Sequence, residues 1–159
     1  MADKLDDLFE RLKLAEGPEL TLTEEAIWLE WSTSGSPAMD LLLKKGRAAM
    51  EHGEHALAIE HFTALIDHAP DFAEGYNARA TAFFAQGAIG QSLADIRRTL
   101  VREPRHFGAL MGLAIILDQM DKPRDALATY RMVEALHPRR EGLQEEIDRL
   151  ETQLGDQSL

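Results

Sequence analysis

Three prolines, Pro70, Pro104 and Pro138, stand 34 residues apart. A fixed period of this length means that the chain repeats one supersecondary unit, and this constrains the fold more than any other feature. With a period of 34, residues 39–72, 73–106 and 107–140 form three rows, each ending in its proline segment. Small residues recur at Gly46, Ala80 and Ala114, and again at Ala58, Ser92 and Ala126. A bulkier column holds Phe62, Ile96 and Tyr130, and a turn column holds Gly53, Gly87 and Asp121.

Each column has a physical reason. Small residues let the two helices of a hairpin approach closely, and the bulky residue fills the space beside them. Gly53 and Gly87 suit a left-handed turn after the first helix, a conformation that aspartate also tolerates. Proline has no amide donor and disfavours helix in the residue before it, so it stops the second helix.

These columns closely resemble the tetratricopeptide repeat family. The middle row fits its motif at Tyr76, Ala80, Phe83, Gly87 and Pro104, with Ser92 in place of alanine. The first row fits at Gly46, Gly53, Ala58, Phe62 and Pro70, and the third at Leu113, Ala114, Ala126, Tyr130 and Pro138. Leu42 and Leu110 replace the first aromatic, and Lys45 and Arg79 occupy a column that is usually leucine. The resemblance covers about 100 residues of the chain.

The flanks read as helices outside the motif. Leu5, Leu8, Phe9 and Leu12 make an i, i+3, i+4, i+7 stripe. A Gly-Pro-Glu break follows, and Thr21-x-x-Glu24 predicts a capping box that opens a second helix carrying Ile27, Trp28 and Trp31. Ser36 before Pro37 reads as an N-cap. Leu143, Ile147, Leu150 and Leu154 form the apolar face of a capping helix that Gly155 is expected to end. The expected fold is all-α: a right-handed tetratricopeptide α-solenoid of three helical hairpins with two N-terminal helices and a C-terminal cap. Its divisions are an acidic helix pair over 1–36, three repeats over 37–138, and the cap with a short tail over 139–159.

Charge narrows the partners. The net charge of −11 is concentrated at the ends: residues 1–36 carry nine acids against three bases, and residues 139–159 six against three. Such ends repel phosphate backbones and anionic lipid, so neither nucleic acid nor membrane is an expected partner. The one basic cluster, Arg97, Arg98, Arg102 and Arg105, is spread around a helix and reads as a solvated face. No apolar run approaches the roughly 18 residues of a membrane span. The acidic, amphipathic start is not a signal peptide, which suits a cytoplasmic chain as written or a periplasmic one if a leader has been trimmed.

The titratable residues do not form a reaction centre. The chain has no cysteine, and its histidines lack zinc spacing: His61 and His68 share a helical face but lie two turns apart, and His52 and His55 flank a glycine turn. Exposed helical histidines are the expectation. Adjacent acids such as Asp6/Asp7 and Glu24/Glu25 point about 100° apart on a helix and cannot converge on a substrate. There is no phosphate-binding loop or nucleophile elbow, so no catalytic residue, metal or cofactor is expected. Lys45 and Arg79 are expected to snorkel to the edge of the hairpins, the alternative for Arg79 being a buried carboxylate partner such as Asp71, Glu74 or an acid on another helix.

The resemblance implies a concave groove lined by the first helix of each row. By column its residues are Asp40, Leu43, Arg47, Met50 and Glu51; then Glu74, Asn77, Thr81, Phe84 and Ala85; then Gly108, Met111, Ile115, Asp118 and Gln119. Relatives that clamp a peptide carboxylate use lysine, arginine and asparagine in columns that here hold Leu43, Arg47, Ala78, Gly108 and Gly112, so that clamp is absent. An apolar groove with the acids Asp40, Glu51, Glu74 and Asp118 at its rim predicts a non-catalytic module for a neutral or basic peptide or helix. The alternative is a self-associating protein whose groove is filled by its own N-terminal helices or by a second copy, as in a homodimer.

Overall fold

The computed structural model describes residues 3–157, and every regular element among them is an α-helix. In chain order these are α1 (Lys4–Leu14), α2 (Gly17–Trp31), α3 (Pro37–Glu51), α4 (His55–His68), α5 (Ala73–Ala85), α6 (Ile89–Arg102), α7 (Phe107–Gln119), α8 (Pro123–Leu136) and α9 (Leu143–Gln157). They group into two compact units, one of residues 31–109 and one joining the described residues up to Glu30 with those from Leu110 onward.

The period reappears in backbone geometry. Gly53 and Gly87 take φ of 74° and 78°, and Asp121 takes 58°. At each turn the next amide reaches back to the preceding helix: Glu54 N to Ala49 O, Ala88 N to Phe83 O and Lys122 N to Leu117 O, each at 2.9 Å. These bonds satisfy carbonyls that a helix end otherwise leaves open. α4, α6 and α8 stop at His68, Arg102 and Leu136, each two residues short of its proline.

In the 31–109 unit, α3 pairs with α4, α4 with α5, and α5 with α6. Gly46 of α3 lies against the Phe62 ring of α4 so closely that an added Cβ would overlap it. Leu43, Ala49, Ala58, Phe62, Leu65, Ala78 and Ala82 complete that core. Ser92 stands in a column of alanines because its hydroxyl donates to Ala80 O at 2.8 Å, so the buried polar atom is satisfied.

Arg79 overturns the snorkelling expectation, although Lys45 of the same column is exposed. The guanidinium donates through Nε and Nη2 to the two Asp95 oxygens at 2.7 and 2.9 Å, and through Nη1 to Thr63 at 3.2 Å. Asp95 has no exposed surface, and its hydrogen bonds hold the Arg79 pKa above the ordinary value. Its partner is thus on α6, one helix on, rather than Asp71 or Glu74. The basic cluster is also more engaged than a solvated face: Arg98 reaches Asp95 at 2.8 Å, and Arg102 donates to Pro70 O at 2.8 Å and lies over the Tyr76 ring.

In the other unit α1 packs on α8, and α8 on α9. Leu8, Phe9, Leu12, Ile27, Leu143, Ile147 and Leu150 are buried. Two terminal expectations are corrected. α2 begins at Gly17, not after Thr21, because Pro18 is tolerated in a first turn; Thr21 is interior, and no capping box forms there. α9 runs through Gly155 to Gln157, since one exposed glycine costs a helix only about 1 kcal/mol.

His137 is fully buried, with Nε2 3.1 Å from Glu24 Oε2, and Arg140 Nε stands 4.0 Å from the other Glu24 oxygen. Burial lowers its pKa, and the Glu24 hydrogen bond only partly opposes this.

Two predictions follow from these contacts. Arg79→Met strands Asp95, which keeps only the exposed Arg98, and should cost about 3 kcal/mol in urea melts. A change below about 1 kcal/mol would mean that the pair contributes little. For His137 the unfolded chain binds the proton more readily, so its contribution is neutral at high pH and destabilising as pH falls through about 6.5. Melts between about pH 7 and 5 should therefore show a shallower loss of stability in His137→Gln than in the wild type.

Candidate functional site

Thirteen of the fifteen groove positions, Ala85 and Gly108 aside, divide between the units: Asp40, Leu43, Arg47, Met50, Glu51, Glu74, Asn77, Thr81 and Phe84 in one, and Met111, Ile115, Asp118 and Gln119 in the other. Within residues 31–109 the first helices α3 and α5 present them. Leu43 is only 1% exposed and belongs to the core. Met50 and Phe84 are partly exposed, and Glu51 and Thr81 fully so.

Glu74 is the main surprise of this face. Rather than standing at a rim, it is 2% exposed and is the acceptor for three side chains. Oε1 accepts from Arg47 Nη2 and from Asn77 Nδ2, each at 3.1 Å, while Oε2 meets His106 Nε2 at 2.7 Å. The Ala109 amide, which can only donate, points at His106 Nδ1 from 3.0 Å. Nδ1 is therefore the acceptor, and the proton of a neutral ring sits on Nε2, facing Glu74. Such a polar cluster is stable only because each member finds a partner.

The chain covers this cluster with its own residues. Trp31 stacks on the His106 ring at 4.1 Å between centroids and 14° between planes, and meets Phe107 at 4.9 Å. Arg47 Nη1 donates to the Ser32 hydroxyl at 3.1 Å. The Ser34 amide and hydroxyl donate to Asp40 Oδ1 at 2.8 and 2.6 Å, and these bonds lower the Asp40 pKa. Ser34 and His106 are not among the residues that sequence reasoning singles out, whereas Trp31 enters there through the alternative that the N-terminal helices, with Trp28 and Trp31, fill the groove. His106 could have been found as the only histidine next to a row start, where an N-cap acceptor is needed.

In the other unit Met111 and Asp118 are partly exposed, and Ile115 and Gln119 exposed. Asp118 accepts from Arg149 at 2.7 Å. Three of the four rim acids thus have internal partners, and Glu51 has none among the described residues. His106 and His137 are buried, contrary to the expectation of exposed histidines; His52 and His68 are exposed. No three His, Asp or Glu side chains converge as metal ligands among the described residues.

Comparison with known proteins agrees with this geometry. A tetratricopeptide repeat family model matches residues 43–94 and 77–141. A TPR repeat-containing protein of Rhizobium etli is 34% identical over 152 residues, covering 95% of this chain and 74% of that protein. Among solved structures, the Sgt2 TPR domain of Aspergillus fumigatus superposes with a TM-score of 0.70 at 21% identity, covering 77% of this chain and 83% of that one. The first TPR domain of Spaghetti (RPAP3), bound to an HSP90 peptide, gives 0.69 at 20% identity, covering 74% and 93%. With its repeat register, its left-handed turns and a relative at this identity along nearly its whole length, the chain belongs to the tetratricopeptide repeat family.

Proposed function

We propose that this protein is a non-catalytic interaction module that takes a peptide or helix of neutral to basic character on the first-helix face of its repeats. The observation that carries the reading is the pairing of partly exposed Met50 and Phe84 with exposed Glu51 and Thr81 on α3 and α5, beside a polar cluster whose members are mutually satisfied. Apolar side chains of this kind adapt to an incoming apolar residue, and a rigid backing holds them in place. The peptide-bound RPAP3 domain supports this use of the fold. Its ligand chemistry does not transfer, because Leu43, Ala78, Gly108 and Gly112 stand where a carboxylate clamp needs donors. Preference for basic character rests on Glu51, on Asp40, whose Ser34 hydrogen bonds leave its charge in place, and on the overall charge of −11, since Glu74 and Asp118 are paired with arginine.

Quantitative pull-down with tagged protein tests the surface. Phe84→Arg should reduce capture of the partner about tenfold while leaving helicity unchanged. Equal capture would count against this face.

A second reading is favoured by the contacts of Trp31, Ser32 and Ser34. On it, the chain's own segment occupies the face and ligand must displace it. Trp31→Ala should then strengthen capture several-fold, whereas an open face predicts no gain.

A further inference from the structure

The strongest unassigned surface lies on α2, within the unit that joins the N-terminal residues to those after Leu110. This helix buries Thr23 and Ile27 on one side and leaves Leu22 and Leu29 each 65% exposed on another. Seven residues separate them, two helical turns or roughly 10 Å along the axis, which is the spacing that a partner helix reads. Beside this stripe is a cleft of about 450 Å³ lined by Leu20, Thr21, Glu25, Trp28, Arg139 and Glu141, among others.

The charges of that cleft are unevenly satisfied. Arg139 is held by Glu16 at 2.8 Å, and Glu24 is engaged by His137, with Arg140 Nε 4.0 Å away. Glu25 and Glu141 hold no side-chain hydrogen bond or ion pair among the described residues. Two carboxylates without partners beside an indole form a place for a lysine or arginine side chain, whose charge they neutralise and whose stem packs on the ring.

We propose that the outer face of α2, with this cleft, is a docking surface for a basic amphipathic helix of a partner protein. It is distinct from the repeat face and does not depend on that face binding anything. Charge decides the occupant. α2 carries four glutamates and no base, and its unit holds nineteen acids against nine bases. A second copy of the chain would bring glutamates against glutamates, and an anionic lipid surface would be repelled likewise. A helix with leucine-like residues on one side and lysine or arginine on its flanks matches both the stripe and the free carboxylates.

The test uses the full-length protein and a fluorescently labelled synthetic helix of leucine and lysine in amphipathic order, read by anisotropy. Saturable binding is expected, weakened about tenfold or more in Leu22→Ser/Leu29→Ser and in Glu25→Lys/Glu141→Lys. All four positions are on the surface, and circular dichroism checks that both variants fold. Phe84→Arg should leave this binding intact, which separates the present surface from the repeat face. Equal binding by both double variants would overturn the proposal. So would equal binding of a peptide of the same composition in scrambled order, which would reduce the effect to bulk charge. A wild-type dimer in light scattering that Leu22→Ser/Leu29→Ser dissociates would assign the face to a second copy instead.

Discussion

The close approach of α3 to α4 at Gly46 sets the geometry of the 31–109 unit. The Phe62 ring fills the place of a missing side chain, and no larger residue than glycine fits without moving that ring. The chain also reverses tightly between these two helices. The left-handed residue at Gly53 provides that reversal and satisfies the Ala49 carbonyl at the same time. The second hairpin solves the same problem with Ala80 and Ser92, where a hydroxyl bond to the Ala80 carbonyl replaces apolar contact. Close packing with a tight turn is thus a constraint met twice with different side chains.

That constraint explains why the hairpins were legible in the sequence. Proline, glycine and small residues act through the local backbone, so their spacing survives as a pattern in one dimension. Even Asp121, the one non-glycine left-handed residue described, follows from its column. The helix ends outside the repeats were less legible. Thr21 and Glu24 satisfy a capping pattern, yet Pro18 can open the helix a turn earlier, and the pattern alone does not choose between them. Gly155 likewise carries the signal of a stop but is kept within α9.

Side-chain partners were the least legible part, because they depend on contacts distant in sequence. Arg79 finds its carboxylate 16 residues on, and Glu74 meets His106 32 residues on. Column position marked Arg79 as unusual but could not say which acid would face it. For Glu74, a position in the groove column suggested exposure, whereas Arg47, Asn77 and His106 hold it inside. A charge that is paired and buried does not act on an approaching ligand as a solvated one would. Counting acids therefore overstated how acidic the repeat face is.

The same distinction relocates the acidic character of the protein. The 31–109 unit holds nine acids and eight bases, and its buried carboxylates Glu74 and Asp95 are each matched to arginine. Nearly all of the net charge therefore belongs to the unit that contains α1, α2, α8 and α9. There, some acids are also paired internally, as Asp118 is with Arg149 and Glu24 with His137. Those without a partner among the described residues, Glu25 and Glu141 included, remain available to a cation from outside. On the two proposed binding surfaces, selectivity for basic partners would arise where carboxylates lack an internal donor, and the repeat face would contribute mainly shape and apolar contact.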